Sequence, residues 1–261
     1  MDTPVNADDL PVTAPSRARE VSLAQRRALI GQLERLEPDQ WLTVTECHPW
    51  TVHDVAAHVA GELVYTRNPF AYVGLGVTWL RRYRGLSFLD GTNEAAVQAR
   101  RHWTTTQLLD ALRRDSLRAI PPPWAPPIPL AGVAALPRYA TFGYLTDVVL
   151  PRDCFMHRHD IARATGQTIE PDPSDAEVIT QVVRDLGRRW TTQGLTLRLV
   201  GPSGGAWRLG AQRGTGAPGS VAELDATEFL RHLSGRVSDP QLFEQVPDEF
   251  RAPLAGARVT F

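Results

Sequence analysis

The segment Ile120–Pro137, IPPPWAPPIPLAGVAALP, carries seven prolines. Each proline lacks a backbone N–H and holds φ near −65°, so this stretch can be neither helix interior nor central strand. It divides the chain, and the elements on either side must be built separately. A connection of this length reads as a long, semi-rigid loop, of a kind that often walls an active site.

Helical spacing flanks the loop. From Ser16 to Leu36, apolar residues at Val21, Leu23, Ala24, Ala28, Leu29, Leu33 and Leu36 recur at i, i+3, i+4, the mark of an amphipathic helix. Thr51-Val-His-Asp54 has the form of a capping box, and Val55, Val59 and Leu63 continue it into a second helix ending near Tyr65. A third helix is expected from Asn93 to Ile120, through Ala96, Trp103, Leu108, Leu109, Leu112 and Leu117. A fourth runs from Ala140 to Ala164, kinked or restarted at Pro151 and capped by Gly166. Four helices without strand signals predict a four-helix bundle over residues 17–167.

The pattern then changes. Ser174-Asp-Ala-Glu177 reads as a capping box opening a helix to about Thr192. Leu195–Val200 and Ala206–Ala211 read as a hairpin across the Gly201–Gly205 turn. A Gly/Pro-rich turn at Gly214–Gly219, a strand near Val221 and a helix over Ala226–Leu233 complete a small α+β domain, residues 168–261. The fold class is therefore α+β, a bundle followed by this domain. Residues 1–16, MDTPVNADDLPVTAPS, are expected to be a flexible tail, because they lack the basic and apolar regions of a signal peptide.

Charge excludes several roles. Twenty-nine acidic residues face 28 basic ones, for a net charge of −1, so there is no basic field to gather nucleic acid or coat an anionic membrane. Every basic residue is Arg, which excludes Schiff-base chemistry and a P-loop lysine. The longest uncharged apolar run, Phe70–Leu80, has 11 residues, short of the roughly 20 that span a membrane. Cys47 and Cys154 form neither a CxxC unit nor a disulfide framework, which favours a reducing cytoplasm.

Two of the seven histidines stand in ligand-like settings. His58 lies among Ala56, Ala57, Ala60 and Gly61, which leave room around an imidazole. His157 follows Asp153 by four residues, so both project from one helix face, as two metal ligands or as a surface ion pair. A third ligand from a neighbouring helix would complete the three-ligand, open-position arrangement of catalytic zinc. His53 and His159 fall on other faces and are expected to meet solvent. Cys154 reads as a small buried hydrophobe, and Cys47 is expected to lie away from His58.

Cys47-His-Pro-Trp50-Thr51-Val-His-Asp54-Val-Ala-Ala-His58-Val-Ala-Gly61 resembles the CPGWTVRDLVAHLAG segment of the mycothiol-dependent maleylpyruvate isomerase family, a branch of the DinB-like metal-binding bundles. Asp153-Cys-Phe-Met-His157-Arg-His-Asp160-Ile161-Ala-Arg-Ala-Thr-Gly166 resembles that family's second motif, an acid followed after four residues by His and after three more by Asp. Leu197–Trp207 and Phe229–Arg236 are similar to its C-terminal hairpin and LLLWLLGR helix.

The resemblance implies that His58, Asp153 and His157 hold Zn²⁺ or another divalent metal, with Asp153 one methylene shorter than the family's Glu. It also implies that Arg236 handles an anionic substrate, while Asp160 either orients an imidazole or stabilises the helix end. The implied activity adds a metal-bound mycothiol thiolate to a small electrophilic or unsaturated substrate. Reversible addition gives isomerisation, and displacement gives S-transfer. The pocket wall would include Trp124, Trp79 and Tyr83. Two other readings remain: a hydrolase using metal-bound water, and a non-catalytic protein whose C-terminal domain holds an apolar ligand. The partners are then a small molecule and a low-molecular-weight thiol, without nucleic acid or membrane; the oligomeric state stays open.

Overall fold

The computed structural model describes residues 4–68, 70–130, 133, 136–210, 220–236 and 239–261. The turn expected at Gly214–Gly219 lies outside them, as do Ala211, the last residue of the expected hairpin, and Ala131, Gly132, Ala134 and Ala135 of the proline segment. The chain is mixed α+β and forms two compact units, Ala18–Glu170 and Met1–Arg17 with Pro171–Phe261. No helix among the described residues is long and apolar enough to cross a membrane.

The first unit holds α1 (Pro15–Leu33) from Ala18 on, α2 (Val52–Arg67), α3 (Ala71–Thr78), α4 (Phe88–Gln98), α5 (Thr105–Ser116), α6 (Phe142–Tyr144) and α7 (Leu150–Thr165). Helix α2 starts where the sequence places it. Thr51 Oγ1 accepts from the Asp54 N–H at 3.3 Å, and Asp54 Oδ2 accepts from the Thr51 N–H at 3.1 Å.

The single helix expected over Asn93–Ile120 is instead two, α4 and α5. A second capping box separates them, in which Thr104 Oγ1 accepts from the Gln107 N–H at 3.2 Å and Gln107 Oε1 accepts from the Thr104 N–H at 2.8 Å. The apolar spacing ran through this box and concealed it. The uncharged run at Phe70–Leu80 also proves helical, as α3 followed by a π-helical turn over Trp79–Tyr83.

Helix α6, a π-helical turn over Leu145–Val149 and α7 follow one another without a gap. Pro151 stands at the start of α7 and lacks the N–H that would bond back into that turn, which is where the widened geometry occurs. Gly166 ends α7 at φ 71°, a conformation glycine enters without a Cβ penalty, and its N–H donates to Ala162 O. Leu29 and Leu33 of α1, Val55, Val59 and Leu63 of α2, Leu108 and Leu112 of α5 and Ile161 of α7 share one core cluster. The proline segment doubles back on the residues leading into α6, through Leu130 N–H to Ala140 O at 2.9 Å and Phe142 N–H to Ile128 O at 2.8 Å.

The second unit contains β1 (Val5–Asn6), α8 (Asp175–Arg189), β2 (Leu195–Val200), β3 (Gly205–Leu209), β4 (Val221–Asp225), α9 (Ala226–Leu233) and α10 (Asp248–Ala255). The sheet order is β1-β3-β2-β4, with β2 and β3 antiparallel and the two outer pairings parallel. Leu195, Leu197 and Leu199 of β2 are buried and alternate with less buried residues, as a one-sided sheet requires.

Three expectations are corrected here. The described part of the expected 1–16 tail, residues 4–16, is not free: Val5 pairs with Trp207, and Gln181 Nε2 and Arg184 Nε donate to the carbonyls of Pro11 and Leu10, both at 3.0 Å. A Cβ at Gly187 would lie 2.6 Å from Ala7 Cβ, so the absence of a side chain there lets the segment seat against α8. Ser174–Glu177 is not a capping box, because the Ser174 hydroxyl donates to Asp172 Oδ1 and Glu177 accepts from Thr13 Oγ1. Helix α8 also ends at Arg189 rather than Thr192.

Candidate functional site

The capping box that starts α2 fixes the helical phase in which His58 turns inward, and small neighbours leave it buried at 1% exposure. On α7, Asp153, His157 and Asp160 follow at i, i+4 and i+7 and share one face, with His157 and Asp160 buried. The structure brings His58, Asp153 and His157 together, their donor atoms all within 4.8 Å of one another. Asp153 Oδ2 lies 3.3 Å from His58 Nε2 and 3.2 Å from His157 Nε2. The imidazole planes cross at 80° with centroids 5.3 Å apart.

Electrostatics follow from this packing. Burial opposes ionisation of Asp153, but the imidazoles of His157 and His58 outweigh it and hold the carboxyl well below its ordinary range. Burial likewise opposes charge on His157, yet Asp153, Cys47 and Asp160 raise it well above the ordinary imidazole value. Despite their proximity, Asp153 Oδ2 and His157 Nε2 are buried without a directed hydrogen bond. Such a pair is normally satisfied in a protein interior.

A divalent metal fits this donor set. Two donors each about 2.0–2.2 Å from one ion stand roughly 3.3–3.6 Å apart at a tetrahedral angle, close to the separations found here. The Asp160 carboxylate supports the arrangement from behind, with Oδ2 2.9 Å from His157 Nδ1. A hydrogen bond donated by Nδ1–H to Asp160 turns the Nε2 lone pair toward the point where a metal would sit.

Three residues at the site were not anticipated. Glu62, one turn after His58, places Oε1 3.5 Å from His58 Nε2. Burial and the charge of Asp153 raise the Glu62 carboxyl well above its ordinary value. The His58-x-x-x-Glu62 spacing was the available signal. Cys47, expected away from the site, donates from Sγ to Asp160 Oδ2 at 3.2 Å and lies 3.8 Å from His157 Nδ1. No sequence spacing could reveal a contact between residues 47 and 160. Trp50 packs its indole 5.1 Å from the His58 ring and is tied to Glu94 by Nε1 at 3.0 Å.

The remaining candidates lie elsewhere. His53 is half-buried rather than solvent-facing, with Nε2 2.8 Å from Trp103 O, and His159 is half-buried against Phe155. Both helix faces carry enough apolar neighbours to cover a ring. Cys154 is buried as expected, and burial pushes its thiol up to about 12. Trp124 is exposed beside Phe70, while Trp79 packs on Phe88 and donates from Nε1 to Leu86 O. Tyr83 is half-buried, its Cβ beside Gly91. Arg236 belongs to the second unit, half-buried, with Nη1 donating to Ser234 Oγ at 2.9 Å.

No family profile and no curated protein matches the chain. Two solved structures are similar. A crystal structure of a histidine-to-alanine mutant of the mycothiol-dependent maleylpyruvate isomerase matches with a TM-score of 0.55 and 15% identity, covering 90% of this chain and 93% of that one. A crystal structure of the mycothiol-dependent maleylpyruvate isomerase matches with a TM-score of 0.49 and 19% identity at the same coverage. Over nine-tenths of its length, then, this chain has a fold similar to that of the mycothiol-dependent maleylpyruvate isomerase.

Proposed function

We propose that His58, Asp153 and His157 hold a divalent metal, zinc by the chemistry of the donor set, and that the protein is a thiol-dependent isomerase or S-transferase acting on a small electrophilic or unsaturated substrate. The observation that carries the reading is the buried Asp153 Oδ2 within 3.2 and 3.3 Å of two imidazole nitrogens, with no directed hydrogen bond. When bound, such an ion supplies positive charge that stabilises a thiol as thiolate near neutral pH.

The chain's own residues prepare for this. Asp160 holds the tautomer and orientation of His157, and Trp50 covers the flank of His58 against water. Cys154, with its thiol pushed up to about 12, is a poor internal source of thiolate, and Cys47 Sγ is engaged by Asp160 Oδ2, so we assign the reacting thiol to an external molecule. Mycothiol is the first thiol to test, since the structurally similar enzyme depends on it. We read the shared core of α1, α2, α5 and α7 as a four-helix bundle. Arg236 keeps its implied role in handling an anionic substrate, with Arg236→Ala expected to raise KM. Two free cysteines suit a reducing cytoplasm.

Metal content of the purified protein, together with turnover of a panel of electrophiles with and without mycothiol, tests the reading. Stoichiometric metal and thiol-dependent turnover are expected, retained in the Cys47→Ser, Cys154→Ser double variant. Full turnover in thiol-free buffer, inhibited by added thiol, would overturn it in favour of a hydrolase.

A further inference from the structure

Two side-chain pairs at i, i+4 face each other in opposite order: His58 then Glu62 on α2, and Asp153 then His157 on α7. Three of the four form the candidate ligand set, and Glu62 has no role in that set. Its Oε1 lies 3.5 Å from His58 Nε2, the same nitrogen that Asp153 Oδ2 approaches at 3.3 Å. Glu62 thus stands one step outside the triangle of donors, on the helix face that His58 already commits to the site. The carboxylate side chains of Glu62 and Asp153 are each 15% exposed, against 2% and 3% for the imidazoles, so the acids lie on the more open side.

Charge suggests what Glu62 does there. An ionised Asp153 offsets only half the charge of a divalent ion, and a second anion completes the balance in this buried place. Glu62 can provide that anion from within the chain, and so can an incoming thiolate. Resting on the metal reading above, we propose that Glu62 is a displaceable fourth ligand, occupying in the resting protein the coordination position that a thiol takes. Such a ligand would strengthen metal retention and oppose thiol binding at the same time.

This gives two readouts of opposite sign, neither of them activity. Co²⁺ affinity is measured by chelator competition, and 2-mercaptoethanol is titrated into the Co²⁺-loaded protein while following sulfur-to-cobalt charge-transfer absorption. For Glu62→Gln we expect Co²⁺ affinity to fall on the order of tenfold to a hundredfold, the range seen when supporting groups of a metal site are removed. Affinity for 2-mercaptoethanol should rise instead, and Glu62→Asp should recover part of the Co²⁺ affinity.

Unchanged Co²⁺ affinity in Glu62→Gln, or a fall in both affinities, would overturn the proposal; the second result marks a purely structural role. If wild type fails to bind Co²⁺ stoichiometrically, or His157→Ala binds it as tightly as wild type, the metal reading itself fails. His157-dependent binding that ignores Glu62→Gln overturns only the role of Glu62. Should Glu62→Gln not fold, the 2-mercaptoethanol titration of Glu62→Asp decides: tighter thiol binding supports displacement, and equal or weaker binding overturns it.

Discussion

Asp153 is an ionised carboxylate set between two imidazoles, and its neighbours divide into residues that reach the same point and residues that do not. His58→Ala and His157→Ala are expected to remove most bound metal, whereas His159→Ala, whose ring packs on Phe155, should keep it. Elemental analysis of the three purified variants checks this, and equal loss in all three would show that α7 presents a different face to the metal. Asp160→Asn should weaken metal binding by about tenfold to a hundredfold, because it removes the carboxylate that fixes the His157 tautomer. The same distinction governs what spacing revealed. Asp153 and His157 share a helix, so four residues of separation already implied proximity. Cys47 reaches Asp160 only because the loop before α2 folds beside α7, a contact with no local signature.

Helix α2 carries His58 and Glu62, so its register matters more to the site than its total stability. Thr51→Ala removes one half of the capping box and should cost about 1 kcal/mol in chemical denaturation. The other half titrates. Burial pushes the Asp54 carboxyl up, but the Thr51 N–H and Arg101 outweigh it, and the folded value lies below the ordinary 3.8. A depressed carboxyl contributes stability that is complete above the unfolded value and is lost as pH falls through the folded one. The stability difference between wild type and Asp54→Asn should therefore be constant near neutrality and shrink below about pH 4, near the ordinary Asp value. A difference that instead grew toward low pH would mean that the carboxyl is raised, contrary to its hydrogen bonds. Caps written in adjacent residues, at Thr51 and Gly166, were readable; the box at Thr104–Gln107 was equally local but lay within an apolar pattern that continued across it.

The chain forms two compact units, and the second takes its edge strand from the opposite end of the chain. Deleting residues 1–9 removes β1 and the Ala7 contact with Gly187, and should lower the stability of the Pro171–Phe261 portion. Hydrogen exchange at β3, where Trp207 and Arg208 register with Val5 and Asn6, should accelerate; unchanged protection there would show that the segment is dispensable. By itself the sequence determined the α+β class, the start of α2, the bounds of α9, the hairpin and the Asp153–His157 face, all of which depend on residues within a few positions of one another. Tertiary structure alone decided that an acidic, proline-containing N-terminus becomes a strand, that Cys47 stands beside His157, and that His58 of α2 meets Asp153 and His157 of α7. Those outcomes depend on which surfaces meet after the elements form, and helical or strand periodicity specifies the buried face of an element without naming its partner.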